Sequence, residues 1–126
     1  MSVEELIEGA YYAAREPDEL LVDIRVPVVA GLRGAYEKFQ VTERPTIGVA
    51  VVEDPDTRSC RVVVGAVGEV PAVSDFPSAA QVDVDAVKAS VDPVADLTGS
   101  AEYKRHVTGV FVLRALAALE GATAGD

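Results

Sequence analysis

The 126-residue sequence is poor in the side chains that usually carry chemistry. It holds one cysteine, one histidine, one methionine and no tryptophan. With Cys60 alone, no intrachain disulfide can form, and too few thiolates exist to hold an iron–sulfur cluster. A zinc site built on His106 and Cys60 would need two carboxylates and has no close ligand spacing. Lysine is scarce, limited to Lys38, Lys88 and Lys104. Eleven basic side chains face 21 acidic ones, and the resulting net charge of −10 repels a phosphate backbone, which argues against nucleic acid as a partner. No apolar run is long enough to span a bilayer. The opening MSVEELIEGA lacks the basic start and apolar stretch of a secretion signal. These absences lead to the expectation of a cytoplasmic protein with no membrane partner. The acidic surface fits plain solubility; together with the lysine shortage it also fits a salty cytoplasm.

What remains is largely apolar, 49% of the residues. A chain of this size buries roughly 65–70% of its unfolded surface, so one domain over residues 1–126 is expected. Ser2 and Glu5 form a capping-box pattern and predict a short helix over 3–9. REPDEL reads as a turn. In LLVDIRVPV, Val22, Ile24 and Val26 alternate with Asp23 and Arg25, which predicts a strand with one wet face, closed by Pro27. AGLRG is a flexible connection and AYEKFQV a second strand. TIGVAVVEDPDTRSCRVVVGAVG predicts a long hairpin about EDPDT, its nearly continuous apolar runs placing both strands at the centre of a sheet. EVPAV is a candidate fifth strand.

Asp83 or Asp85 can cap a short helix carrying Val87, and Pro93 suits the start of a helical turn. Ser100 caps a last long helix from Ala101, with Val107, Val110, Phe111 and Ala117 at helical spacing and Leu113 and Leu116 widening that face. GATAGD is a frayed tail. The fold class is α+β: an antiparallel sheet of four to five strands with helices packed on one face.

No residue pattern points to catalysis. His106 has no nucleophile or partner carboxylate that the sequence can place beside it. Cys60 lies in a strand and reads as a small buried hydrophobe. Ser100 is explained by its cap, and no G-x-S-x-G elbow occurs. GLRG and GAVG lack the spacing of phosphate-binding loops and read as backbone turns. Lys104 and Arg105 stand in the first turn of a helix, against its dipole. They read as a solvated helix end, or as cations for a partner's acidic surface or one of the chain's own carboxylates. Tyr103 beside them suits an interface. Arg114 extends from the same helix to solvent or a carboxylate.

Four stretches, in order and spread over nearly the whole chain, resemble the C-terminal domain of the flavoprotein (medium) subunit of molybdenum hydroxylases, of the carbon monoxide dehydrogenase type. They are EPDELLVDIRVP, AYEKFQVTERPTIGVAVV, VVVGAVGEVPAV and DPVADLTGSAEYKRHVTGVFVLRAL. The resemblance implies electron transfer from a molybdenum site through iron–sulfur clusters to FAD. It also implies that a larger FAD-binding domain, absent from these 126 residues, makes most flavin contacts. No cofactor is expected on this chain alone; FAD enters through a partner chain. Lys38 falls where the family has a lysine near the flavin, although Thr42 and Glu43 stand where many relatives carry arginines. Gly65, Gly68 and Pro71 lie in the stretch resembling a loop that faces the FAD domain, and Tyr103, Lys104 and Arg105 in a helix start read as docking.

The expected function is that of a C-terminal flavoprotein domain pairing with a separate FAD-binding chain, within reach of molybdenum and iron–sulfur subunits, and not catalytic alone. The alternative is a small homo-oligomeric binding or scaffold module that kept the fold without the redox role.

Overall fold

The chain's first helix begins where the capping-box pattern places it, but it is brief. In the computed structural model, which describes residues 1–122, α1 spans Val3–Leu6. The Ser2 hydroxyl accepts from the Glu5 amide, and the Glu5 carboxylate accepts from the Ser2 amide. α1 does not reach Gly9. Ile7–Gly9 (β1) instead turns back on Tyr12–Ala13 (β2) in a two-stranded sheet. Tyr11, at φ 67°, makes that reversal.

The main sheet is antiparallel in the order β3-β4-β5-β6. Its strands are Arg33–Gln40 (β3), Pro45–Glu53 (β4), Cys60–Gly65 (β5) and Ala72–Phe76 (β6). The valine-rich hairpin is β4 and β5, and it does occupy the centre. Its turn is locked by Asp54, whose carboxylate accepts from the amides of Asp56 and Thr57. The fifth-strand expectation over EVPAV is corrected: pairing begins at Ala72, after Pro71, and continues to Phe76. Proline cannot donate to a ladder, so the strand starts beyond it.

The two later helices cover one face, while α1 and β1 lie against part of the other, where Val3, Glu4 and Ile7 share a hollow with Arg61, Val63 and Val73. α2, Val84–Ser90, is capped by Asp83, which accepts from Asp85 and Ala86. α3, Ala101–Gly121, is capped by Ser100, lies across β3 and β4 and packs against α2. Its buried stripe runs through Val107, Phe111, Val112, Ala115 and Leu119 onto Ile47, Val49, Val51, Val62 and Val64. Ala117 and Leu113, expected on that face, are exposed. The inward stripe repeats at three and four residues from Lys104, and that phase turns both away from the sheet. Pro93 begins no helix; Val91–Ala95 is irregular, leading into a tight turn at Asp96–Gly99. Of GATAGD, residues 123–126 lie outside the described residues.

The strand expected over Val22–Val26 is also corrected. The segment forms no ladder, and its apolar side chains are exposed. Alternation favours extended backbone, but a strand also needs a neighbour, and no described sheet edge adjoins it. No helix among the described residues is long and apolar enough to cross a membrane.

Candidate docking surface

α2 and α3 cover one side of β3–β6; on the other, Val3, Glu4 and Ile7 lie across a hollow of about 310 Å³ from Arg61, Val63 and Val73, while the outward side of β3 stays exposed. Alternation along β3 sends Ala35, Glu37 and Phe39 toward the helices and Tyr36, Lys38 and Gln40 outward. The register then sets Lys38 opposite Gly48, and Gly48 opposite Gly65. Lys38, Gly48 and Gly65 therefore form one row across three strands, two of its positions without side chains. Beside this row the Tyr36 ring lies over Gly48; a Cβ on Gly48 would meet the Tyr36 hydroxyl at 2.5 Å. Farther along the open face, Arg61 donates twice to Asp75, at 2.7 and 3.0 Å, and holds that carboxyl below its usual range. Lys38 forms no salt bridge among the described residues.

One end of the sheet is surrounded by four connections: the β1–β2 turn, the β3–β4 loop, the β5–β6 loop and the segment before α3. The β5–β6 loop turns at Ala66, φ 69°, and is tied to the segment before α3 by the Val94 amide donating to the Val67 carbonyl at 2.9 Å. Gly68 sits so close that a Cβ would lie 2.5 Å from the Asp92 carbonyl oxygen. Its glycine is thus required by close backbone approach. Lys104, 1% exposed, holds this end together. Its ammonium donates to the Val94 carbonyl at 2.8 Å and to the Asp96 carboxylate at 2.8 Å. The Tyr103 ring covers Gly99 and stays part-exposed. Arg105 is exposed and reaches the Val91 carbonyl at 3.5 Å. A cleft of about 630 Å³ opens between these connections, lined by Tyr11, Arg44, Gly68, Pro71, Asp96 and Lys104. Arg44 stacks on and hydrogen-bonds Tyr11, closing one wall.

The positions singled out in the sequence thus fall into two neighbouring groups. Lys38 and Gly65 share the open sheet face; Gly68, Pro71 and Lys104 line the end cleft, with Tyr103 and Arg105 at its helix. Lys104 is already occupied inside the chain by one of its own carboxylates, so the exposed surface there belongs to Tyr103 and Arg105. Sequence reasoning missed Gly48 and Asp96. Gly48 gains meaning only from the register with Lys38 and Gly65. Asp96 was legible as an acid near Lys104, eight positions apart, but a bent loop had to bring the two together.

Cys60 is buried, and its thiol is pushed up by that burial and by Glu53 and Asp75. A raised pKa keeps it protonated and unreactive. His106 is exposed on α3. Among the described residues no three His, Cys, Asp or Glu side chains are grouped to hold a metal.

The Lys104 hydrogen bond, then those from Thr98, hold the Asp96 carboxyl far below the usual carboxylate range. A depressed folded pKa contributes stability that is fully present above the unfolded value, about 3.9, and lost as pH falls toward the folded value. Asp96→Asn should therefore melt below the parent at neutral pH. The gap should narrow steadily as pH drops below about 4, which melting curves across that range will read. Asp96 is half-exposed, so the neutral-pH gap should stay modest.

No protein-family model matches the chain. Two curated relatives do. The carbon monoxide dehydrogenase medium chain of Afipia carboxidovorans (strain OM5) is 30% identical over 133 residues, and that of Hydrogenophaga pseudoflava is 33% identical over 125 residues. Each alignment takes in 86% of this chain and 44% of the relative, so the chain spans about half the length of the curated relatives it matches. The structure of reconstituted CO dehydrogenase from Oligotropha carboxidovorans matches 95% of this chain with a TM-score of 0.79 and 28% identity, over 48% of its own chain. In sequence and in fold, the chain is homologous to one part of the carbon monoxide dehydrogenase medium chains.

Proposed function

We propose that this chain serves as the C-terminal domain of a molybdenum-hydroxylase flavoprotein subunit, and that it docks against a separate FAD-binding chain for electron transfer. The observation that carries the reading is the exposed outward side of β3, where Lys38 stands in register with two glycines across the sheet. The N-terminal segment shields part of that face at β5 and β6 and leaves the outward side of β3 free for a partner. The Tyr36 ring covers Gly48, so a planar group would meet bare backbone at Gly65, next to that ring, with Lys38 supplying a positive charge at the far end of the row.

These residues fit contact with a flavin edge better than possession of FAD. The row is shallow and open. The amide-rich N-termini of α2 and α3, which would suit a pyrophosphate, are already capped by Asp83 and Ser100. FAD, held by the partner, would supply electron storage. Lys38 would favour negative charge on the reduced ring. Pro71, with the loop from Gly65 through Gly68, and Tyr103 with Arg105 extend the contact past the end of the sheet, while Lys104 keeps that end in shape. The chain by itself would carry no catalysis. Molybdenum and iron–sulfur subunits would be the further partners.

Glu43, exposed between β3 and β4, favours the other reading, a self-associating scaffold, because it adds negative charge near the row. Affinity purification of the tagged chain from the cells that produce it separates the two. The expected result is recovery of a flavin-bearing chain together with molybdenum and iron–sulfur subunits, while the isolated chain mixed with FAD shows no bound-flavin spectrum. Recovery of the chain with copies of itself alone would refute the docking role.

A further inference from the structure

The end cleft is lined by hydrogen-bond donors that the chain itself does not use up. Arg44 stands on one wall. Among the described residues its guanidinium hydrogen-bonds only the Tyr11 hydroxyl and forms no salt bridge. Lys104 lies on another wall, 1% exposed, and gives two of its three ammonium protons to the Val94 carbonyl and the Asp96 carboxylate. Val67 is 2% exposed, and its amide finds no acceptor among the described residues. A buried amide without a partner is costly and therefore uncommon. Val94 ties the two buried donors together, since its amide donates to the Val67 carbonyl and its own carbonyl accepts from Lys104.

The carboxylate beside these donors is spent. Asp96 takes the Lys104 ammonium on one oxygen and the Thr98 amide and hydroxyl on the other. Val67, Val70, Pro71 and Val94 make much of the remaining wall apolar. At about 630 Å³ the cleft has room for a small molecule. A ligand that completes it brings an oxygen acceptor and an apolar body. Charge narrows the choice. Asp96 neutralises Lys104, which leaves Arg44 as the lining cation still able to pair with a ligand. Glu69, exposed at the rim, and the net charge of −10 oppose a second negative charge. A monoanionic carboxylate therefore fits better than a phosphate dianion.

We infer that the end cleft binds a small monocarboxylic acid with a short aliphatic body. Its carboxylate accepts from the Arg44 guanidinium, the Val67 amide and the spare Lys104 proton, and its aliphatic part lies against Val70 and Pro71. Stacking on the Tyr11 ring holds Arg44 in place for that contact. The site is independent of the docking role proposed above, on a different part of the surface from Tyr36 and Lys38.

The test uses the free chain, with butyrate as the probe and butyramide and phosphate as comparisons. Butyrate should bind with a roughly millimolar dissociation constant and shift the Val67 amide resonance while leaving those of α2 unmoved. Butyramide has nearly the same shape without the charge; it and phosphate should each bind about tenfold more weakly or worse. Arg44→Gln, at an exposed position, should fold like the parent and weaken butyrate by about tenfold. A Val67 amide that does not respond to butyrate would mean that water alone meets these donors, and overturns the site. Butyramide binding as tightly as butyrate, or Arg44→Gln binding it like the parent, overturns it as well. Phosphate binding more tightly than butyrate overturns the assignment to a carboxylate.

Discussion

Phe111→Ala should destabilise the domain by about 4 kcal/mol and lower its melting temperature by roughly 15 °C. Phe111 is 6% exposed at the centre of α3, packed against the Phe39 ring at 5.9 Å between centroids. It joins the helix layer to β3, an edge strand with neighbours on one side only. Arg114 lies over the Phe111 ring, 4.9 Å from its centroid, so truncation also strands a cation that had an aromatic surface. Shrinking to alanine leaves a cavity that β3 and α3 can close only by moving. Phe111→Leu, which keeps most of the volume, should lose about 1 kcal/mol. Urea denaturation of the three proteins reads the difference. A Phe111→Ala midpoint equal to the parent's would mean that α3 does not seal the core.

Glu53→Ala should cost about 3 kcal/mol. Glu53 ends β4 at 2% exposure and accepts from Arg33 at 3.2 Å and from Arg58 at 2.7 Å. Arg33 also donates to the Leu119 carbonyl at 2.5 Å, in the last turn of α3. A guanidinium there complements the negative end of the helix dipole. Removing the carboxylate leaves Arg33 part-buried without its anion and loosens both the β3–β4 end and the helix terminus. Helicity should therefore fall with stability, a change that circular dichroism detects. Arg58→Ala should lose less than about 1 kcal/mol, because that arginine is largely solvated. Equal losses for Glu53→Ala and Arg58→Ala would contradict the reading that the part-buried Arg33 depends on Glu53.

The parts of the fold legible in the sequence were those specified by local pattern. The central hairpin declares itself by valine runs about a proline–aspartate turn. The caps at Ser2, Asp83 and Ser100 declare themselves by side chains that bond to nearby amides. The elements misread were those decided by distant partners. Ile7–Gly9 leaves the helix because Tyr12–Ala13 offers a ladder. Val22–Val26 alternates faithfully, yet pattern alone does not supply the neighbour. Pro93 can open a helix, but Lys104 draws the Val94 carbonyl and Asp96 into a bent loop instead. For Lys104 the sequence left open a solvated helix end, a partner's acidic surface or one of the chain's own carboxylates; the last holds, through Asp96, and the choice depends on a helical phase shared with Val107, Phe111 and Leu119. The open-face row is legible only after register is known: Lys38 stood out through its resemblance to a family lysine, while Gly48 had no mark of its own.

The central claim is that the outward side of β3, around Tyr36 and Lys38, meets a flavin-bearing chain. A photo-crosslinking residue in place of Tyr36, on that side, tests it most directly in the cells that produce the protein, with the same residue in place of Leu113, 58% exposed on the outward side of α3, as the comparison. The account predicts a crosslinked product with a flavin-bearing chain from position 36 and none from position 113. A product from position 113 alone, or position 36 joined only to further copies of this chain, would contradict it.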